Sequence, residues 1–376
     1  MNLEQTAEKL SFVRMARGIH RFILSEEKRD EIYRYFRNKS RSRLLHRAFR
    51  NKIANWKDLH RVCIEYAFPV TCPLVLISQI QRSGGTLLSQ LFDGHHELHA
   101  HPYELKIGFP KKYIWPRIDM NTSPEKWFET LFEDEVIRLF TKGYRKGQQY
   151  DETFPFILIP SLQRDIFINY VSSIQSMRLR DVFDGYMTSY FNAWINNQNR
   201  SGRKRFVTAF TPRMANLEIN MEAFFQVYPD GRVISIIRDP KNWYPSARRH
   251  KPNKYSGIQD ALNMWKENAE AMIRNKDRYG DAVCIIRFED LITHTEAMMR
   301  YLAGFLDIAF DPILLEPTFN KMPIKANTSF KLDRYGIMSG TVHRHKTLDT
   351  EEIGLIDTMT GEIYREVLNR IVRLQN

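Results

Sequence analysis

Residues 74–92 constrain the fold of this chain more than any other stretch. Residues 74–80 are rich in apolar and β-branched side chains, which predicts a strand covered on both faces. Gly84 and Gly85 then allow a tight turn that brings backbone N–H groups close to a ligand. Residues 86–92 begin a helix whose positive end points back at this turn. A strand, a glycine turn and a helix in this order predict a loop that binds an anion.

The side chains of this loop fit such a role. Arg82 supplies a guanidinium, and Ser83 and Thr86 supply hydroxyl groups. The common nucleotide-triphosphate loop needs a Lys immediately before its hydroxyl residue, and here Gly85 stands in that place. The sequence therefore disfavours a Lys-dependent kinase, while an ordinary Ser-Gly-Gly turn without a ligand remains an alternative.

Strands and helices alternate again after residue 204. The sequence predicts strands over 205–212, 232–237 and 282–288, and helices over 216–227, 258–279 and about 293–306. Such alternation is typical of βαβ units, which form a parallel sheet with right-handed crossovers. The predicted fold class is therefore α/β, with a central parallel sheet flanked by helices. In such sheets ligands bind beyond the carboxyl ends of the strands.

A second candidate anion site follows the strand at residues 232–237. Arg238 leaves the sheet at its ligand edge, and Ser246 lies eight residues later, at or within the next helix. A guanidinium and a hydroxyl near a helix start suit a phosphate, although an Arg–Asp pair with a helix cap is an alternative. Together with the glycine loop, this pattern favours a nucleotide phosphorylated at both its 5′ and 3′ positions.

At this point the sequence resembles the PAPS-dependent sulfotransferases, where PAPS is 3′-phosphoadenosine 5′-phosphosulfate. Arg82-Ser-Gly-Gly-Thr-Leu87 is similar to the family's R-S-G-T-T-L loop, with Gly85 replacing the first Thr. Arg238 and Ser246 fit the spacing of its R-D-P motif for the 3′-phosphate. The resemblance covers roughly residues 72–100 and 204–350, including counterparts of the family's Y-E-D-L and F-L-G strings at residues 287–291 and 302–306.

The resemblance implies a fold akin to nucleotide kinases that binds PAPS and passes its sulfuryl group to an acceptor. It also implies a carboxyl-terminal loop that closes on the 3′-phosphate, here residues 339–346, although the family's R-K-G-x-x-G string is not present and a solvated basic turn remains an alternative. The implied PAPS-binding residues are Arg82, Ser83, Gly84, Gly85, Thr86, Leu87, Arg238, Ser246, Arg344 and Lys346. No metal is expected, because a sulfuryl group carries less charge than a terminal phosphoryl group.

The family uses two positions for the catalytic base. Some members use a His on the strand equivalent to residues 205–210, where this chain has neither His nor Lys. Other members use a Glu about twenty residues after the loop Arg, which implies Glu104 as the base. His101 is the alternative base, and a plain surface carboxylate is the alternative role for Glu104. Arg82 is implied to stabilise the departing 5′-phosphate.

Charge and composition restrict the partners and the compartment. The formal net charge of +12 suits an anionic partner. Three isolated cysteines, no apolar stretch long enough to span a membrane and no signal-peptide pattern predict a cytoplasmic protein. Peripheral contact with a membrane remains open, and nucleic acid is not expected as a partner. The rival functions are an ATP- and magnesium-dependent phosphotransferase, or a non-catalytic basic protein that binds nucleic acid or membrane and keeps a relic nucleotide site.

The predicted organisation has three parts. Residues 1–70 form a basic helical extension, either packed on the main domain or binding RNA or a membrane surface. Residues 71–350 form the sulfotransferase-like domain, and residues 351–376 form a carboxyl-terminal helix. Within the domain, residues 106–200 are rich in aromatics and are interpreted as an insertion that shapes an acceptor pocket, although many of these rings must fill a local core. Sugar, phenolic and lipid-linked acceptors fit equally well.

Overall fold

The computed structural model describes residues 34–35, 38–39, 42–43, 52–108, 114–144, 154–200, 202–325, 336–372 and 374. The chain divides into two units, Met1–Val62 and Cys63–Asn376. Most of the predicted helical extension over residues 1–70 lies outside the described residues. Its described portion includes helix α1 (Lys52–Glu65).

A five-stranded parallel sheet forms the centre of the larger unit. Its strands are β1 (Leu74–Ile77), β2 (Leu98–Glu104), β3 (Phe206–Phe210), β4 (Arg232–Ile237) and β5 (Val283–Arg287). They lie in the order β2-β3-β1-β4-β5, and every neighbouring pair is parallel. All residues of β1 and β3 are buried, because helices cover both faces of these apolar strands. The predicted α/β fold with a central parallel sheet is confirmed.

Helices flank this sheet. In chain order they are α2 (Gly85–Phe92), α3 (Pro124–Leu131), α4 (Glu135–Lys142), α5 (Pro160–Ser172), α6 (Leu179–Ala193), α7 (Glu218–Val227), α8 (Pro240–His250), α9 (Ile258–Tyr279), α10 (Phe288–Thr293), α11 (Thr295–Phe305) and α12 (Thr350–Leu368). A short hairpin of β6 (Thr318–Phe319) and β7 (Met322–Pro323) follows α11. Among the described helices, none has the length and apolar character needed to cross a bilayer.

Two predicted helices differ from the observed ones at their ends. The helix expected over about 293–306 is preceded by a separate short helix, α10, because His294 leaves helical geometry with φ −130° and ψ 47°. The helix expected from residue 216 begins at Glu218, because Leu217 is extended and a 3₁₀ turn, Met214–Asn216, precedes it. The long helix expected over 258–279 is confirmed as α9.

The aromatic-rich residues 106–200 contribute to the core. The rings of Trp115, Trp127, Phe128, Tyr186, Tyr190 and Trp194 are each at most 8% exposed. They belong to one apolar cluster that also contains residues of β1 and β3. Burial of such large rings stabilises the fold, since aromatic side chains remove more apolar surface from water than most others. These rings therefore fill a local core, as expected for many of them, and the acceptor-pocket interpretation of the segment stays a prediction.

Candidate active site

The loop between β1 and α2 turns tightly at the carboxyl edge of the sheet. Arg82 has a φ of 72° and Gly84 a φ of 101°, both in the left-handed region. A Cβ on Gly84 would lie 2.5 Å from the ring of Phe288, so glycine is required there for space as well as for conformation. Ser83 is 1% exposed, and its Oγ has no hydrogen-bond partner among the described residues. A buried hydroxyl without a partner suits a loop that holds a polar ligand.

Packing explains why glycine occupies position 85. A Cβ there would overlap the side-chain nitrogen of Gln79 and the ring of Phe210. Phe210 is the last residue of β3, and the strand places its ring against the start of α2. The ring on the neighbouring strand therefore leaves no space for a side chain at position 85.

The two predicted anion sites lie together. Arg238 Nη1 donates a hydrogen bond to the carbonyl oxygen of Arg82 at 2.9 Å. Arg82 Nε lies 3.4 Å from Ser246 Oγ, which accepts its hydrogen bond. β1 and β4 are neighbours in the sheet, so their carboxyl ends lie side by side. Arg82 and Arg238, which follow these ends, therefore meet although they are 156 positions apart in the sequence. The convergence expected from the sequence is present.

Like charges are concentrated at this edge. Burial lowers the pKa of Arg82, and nearby Arg344 lowers it further. Burial also lowers the pKa of Arg238 to about 10; Glu289 opposes that shift, whereas Arg82 and Arg344 add to it. Several guanidiniums gathered in a place of low dielectric favour the binding of an anion between them.

A 3₁₀ segment, Ser339–Thr347, brings Arg344 to this edge. The backbone N–H of His345 donates to Asn242 Oδ1 at 3.1 Å, which attaches the segment to α8. Arg344 is half-buried and lies within electrostatic range of the half-buried Arg82 and the buried Arg238. Lys346, on the same segment, is exposed.

Glu104 is the last residue of β2, and its side chain is 23% exposed. The nearest described cation is Lys106, whose Nζ lies 3.8 Å from the Glu104 carboxylate. Partial burial lowers the pKa of His250 at the end of α8; Arg82 and Lys251 add to this shift, and Glu104 opposes it. Glu104 and Arg82 thus each lie within electrostatic range of His250. Sequence reasoning missed His250, because a His at a helix end belongs to no motif.

His101 lies deeper, with 2% of its surface exposed. Its Nδ1 is 3.0 Å from the carbonyl oxygen of Tyr103, and its Nε2 is 3.2 Å from Glu133 Oε1. The other carboxylate oxygen of Glu133 accepts a hydrogen bond from the backbone N–H of Lys106 at 2.8 Å. Both ring nitrogens of His101 are therefore engaged in fixing the turn at the end of β2.

The histidines around β2 do not form a metal site. His95 Nε2 is bonded to the carbonyl oxygen of Ala309 at 2.9 Å, and His99 stacks on Phe191. In the part of the chain that the structure describes, no group of three or more His, Cys, Asp or Glu side chains is arranged to hold a metal ion.

Comparison with known proteins identifies the family. A family model described as "Sulfotransferase family" matches residues 73–312. The chain belongs to the sulfotransferase family. The match begins just before β1 and includes both the Arg82 loop and Arg238, so the matched region of this sulfotransferase contains the two converging sites.

Solved structures resemble this sulfotransferase at low identity. The sulfotransferase domain of the Synechococcus PCC 7002 olefin synthase is 15% identical, with 77% of this chain and 94% of that chain covered and a TM-score of 0.49. A sulfotransferase from Alicyclobacillus acidocaldarius is 13% identical, with coverages of 80% and 97% and a TM-score of 0.42. Retinol dehydratase, in complex with androsterone and the inactive cofactor PAP, is 12% identical, with coverages of 81% and 83% and a TM-score of 0.37. No curated protein matches the chain. The family assignment rests on the family model.

Proposed function

We propose that this sulfotransferase takes a sulfuryl group from PAPS and transfers it to a hydroxyl or amine of an acceptor. The observation that carries the proposal is the contact of Arg238 with the Arg82 carbonyl, together with the contact of Arg82 with Ser246. These contacts support the assignment of two anion sites to the carboxyl ends of neighbouring strands. A nucleotide with a 3′-phosphate and a 5′-phosphosulfate suits such a pair of sites.

The glycine loop is proposed to hold the 5′ end of PAPS. The first backbone N–H groups of α2 point towards the loop, as at any helix N-terminus, and the hydroxyls of Ser83 and Thr86 add donors. The unpartnered Ser83 Oγ supports this fit, as do the two positions at which a Cβ would not fit. These observations concern the loop itself and are independent of the family motif.

The 3′-phosphate is proposed to bind at the neighbouring site. Arg238 and Ser246 would hold it from β4 and α8, while Arg344 and Lys346 would approach from the 3₁₀ segment. Burial is the main cause of the lowered pKa values of Arg82 and Arg238, and neighbouring guanidiniums lower them further. An anion bound between these cations would relieve that repulsion, which supports this assignment. Lys346 has the weakest support, since it is exposed.

The chain's own residues would then promote the transfer. PAPS supplies the sulfuryl group, and the Arg82 guanidinium would stabilise the negative charge that develops on the 5′-phosphate. Glu104 would accept the proton of the acceptor hydroxyl, since its carboxylate is partly exposed at the end of β2. His101 is the weaker candidate for the base, because both of its ring nitrogens are already hydrogen-bonded.

The acceptor is proposed to be a carbohydrate, a phenol or a lipid-linked alcohol. The proposed compartment is the cytoplasm, which the three free cysteines support, because secreted proteins of this size commonly pair theirs. Incubating the protein with radiolabelled PAPS and members of all three acceptor classes would identify the class that receives label.

A thermal-shift comparison tests the donor. Adenosine 3′,5′-bisphosphate (PAP) at about one hundred times its dissociation constant should stabilise the folded protein by about 2.7 kcal/mol. ATP with magnesium should not reproduce this stabilisation. Equal stabilisation by the two nucleotides would contradict the proposal and favour the phosphotransferase alternative.

A further inference from the structure

We propose that a cavity at the amino ends of β1, β2 and β3 is a second binding site, for a small molecule that bears phosphate or sulfate groups. The cavity has a volume of about 880 Å³ and is lined by residues 68–73, by His99 and by residues of the segment 200–206. Small-molecule sites commonly have volumes of about 300–1,000 Å³. The cavity lies at the sheet edge opposite the Arg82 loop, with β1, about 13 Å long, between them.

Uncompensated cations line this cavity. They are Arg200, Arg203 and Lys204. Among the described residues, no carboxylate lies within ion-pair distance of any of the three. Lys204 Nζ instead donates a hydrogen bond to the uncharged side chain of Asn199 at 2.9 Å. Cations without carboxylate partners leave a net positive potential that attracts anions.

Two further charged side chains line the cavity, and each contacts a group that is not among the lining residues. Arg205 forms an ion pair with Asp307. Glu97, which is the carboxylate among the lining residues, accepts a hydrogen bond from the backbone N–H of Ala309 and lies beside His96. The described lining residues therefore carry more positive than negative charge, because Arg200, Arg203 and Lys204 outnumber the single carboxylate of Glu97.

Lys204 is a partly buried cation. Its pKa is lowered to about 8, first by burial and then by the charge of Lys321. The pKa of His99 is lowered to about 3 by burial and by Lys204, so its ring is neutral at pH 7. An anion bound in the cavity would stabilise the charged form of Lys204 and raise its pKa again.

His99, which lines the cavity, contains a buried ring nitrogen without a described partner. His99 is 4% exposed, and its Nδ1 has no hydrogen-bond partner among the described residues. Stacking on Phe191 and Phe68, with ring centroids 4.7 and 5.8 Å away, fixes the plane of the His99 ring. Unpartnered buried polar atoms are rare in folded proteins, and an oxygen of a bound ligand would satisfy this one.

Binding of inorganic pyrophosphate tests the proposal without relying on the donor site. The full-length Arg238→Ala variant is used because its proposed PAPS site is impaired. Calorimetry on this variant should show one pyrophosphate bound per chain. The double variant Arg203→Ala/Lys204→Met in the same background should bind at least tenfold more weakly. His99→Phe keeps the stacking but removes the ring nitrogen, and it should weaken binding by a smaller factor. Titration with inorganic sulfate distinguishes a preference for sulfate from a preference for phosphate.

Chemical labelling of the wild-type protein gives a second measurement that needs no variant to fold. Pyrophosphate should slow the acetylation of Lys204 at pH 8 at least fivefold, because binding raises its pKa and covers it. Lys126, whose side chain is 64% exposed and remote in sequence from the cavity, should be unaffected. Equal slowing at both lysines, equal slowing by sodium chloride of the same ionic strength, or unchanged binding by the double variant would overturn the proposal.

Discussion

Arg238 Nη1 donates a 2.9 Å hydrogen bond to the backbone carbonyl of Arg82. Arg82 has a left-handed backbone, which costs a non-glycine residue about 1 kcal/mol or more. The Arg238 side chain, directly after β4, therefore stabilises the strained backbone of Arg82 in the loop between β1 and α2. One guanidinium both shapes the loop and provides charge for the proposed nucleotide.

Arg238→Ala should weaken the binding of PAP by roughly 10- to 100-fold, since a hydrogen bond to a charged group contributes about 1.5–3 kcal/mol. Arg238→Lys keeps the charge but loses the planar fork, so an intermediate loss is expected. Calorimetry with PAP measures both. Arg232→Ala, at the opposite end of β4, is the matched control and should bind normally. Binding by Arg238→Ala within twofold of wild type would count against the assignment.

Gly85→Thr should lower the stability of the protein by about 1–3 kcal/mol, although it restores the family's loop sequence. The new side chain would overlap Gln79 and Phe210. The Phe210→Ala change removes the ring, so the double variant should be destabilised by less than the sum of the two single changes. Denaturant unfolding of all four proteins gives the coupling free energy, and strictly additive effects would disprove the packing explanation.

Glu104→Gln should reduce turnover by about 10²- to 10⁴-fold while leaving PAP binding unchanged, because it removes a general base but keeps the shape of the side chain. The matched control is Glu135→Gln. Glu135 contacts the same Lys106, at 3.3 Å, but lies on α4. Transfer of label from radiolabelled PAPS measures turnover once an acceptor is known. Normal turnover by Glu104→Gln would assign the proton transfer to another group, with His101 and then His250 the next residues to test.

Lys204→Met should stabilise the protein by about 1–3 kcal/mol at pH 7. The pKa of Lys204 falls from 10.5 to about 8 on folding, so the charged form is disfavoured in the folded state. Between these two pH values the unfolded wild type binds more protons than the folded one, and wild-type stability rises with pH. The advantage of the variant should therefore shrink from pH 8 upwards.

Denaturant unfolding at pH 7 and at pH 9.5 measures this difference. Lys126→Met, at an exposed position on α3, serves as the control and should change stability little at either pH. A stability difference for Lys204→Met that does not depend on pH would mean that the lysine is not desolvated as described.

Much of the fold followed from the sequence. Runs of apolar residues such as 232–237 predicted strands buried on both faces, and the long helix over 258–279 matched α9 at both ends. The convergence of Arg82 with Arg238 also followed, because parallel strands present their carboxyl ends at one edge. The local sequence pattern and the parallel arrangement of the strands were enough to predict these features.

Other features depend on which elements become neighbours. The Phe210 ring packs against Gly85 only because β3 lies beside β1, and no spacing in the sequence predicts this contact. The surroundings of His250 and the cavity at Lys204 could not be predicted for the same reason, because segments distant in the sequence form them. The contact of His101 with Glu133 likewise could not be predicted, because it depends on where the segment that follows α3 lies.

The sheet order has a consequence for synthesis of the protein. The chain leaves the ribosome with the β1 loop first, and 156 residues separate Arg82 from the side chain that secures its backbone. Contacts between such distant residues form late during folding. In a nascent chain that does not yet contain β4, the Arg82 backbone therefore lacks the hydrogen bond from Arg238. Truncated products ending before residue 238 should lack affinity for the proposed donor, PAPS, even where β1 and α2 have formed.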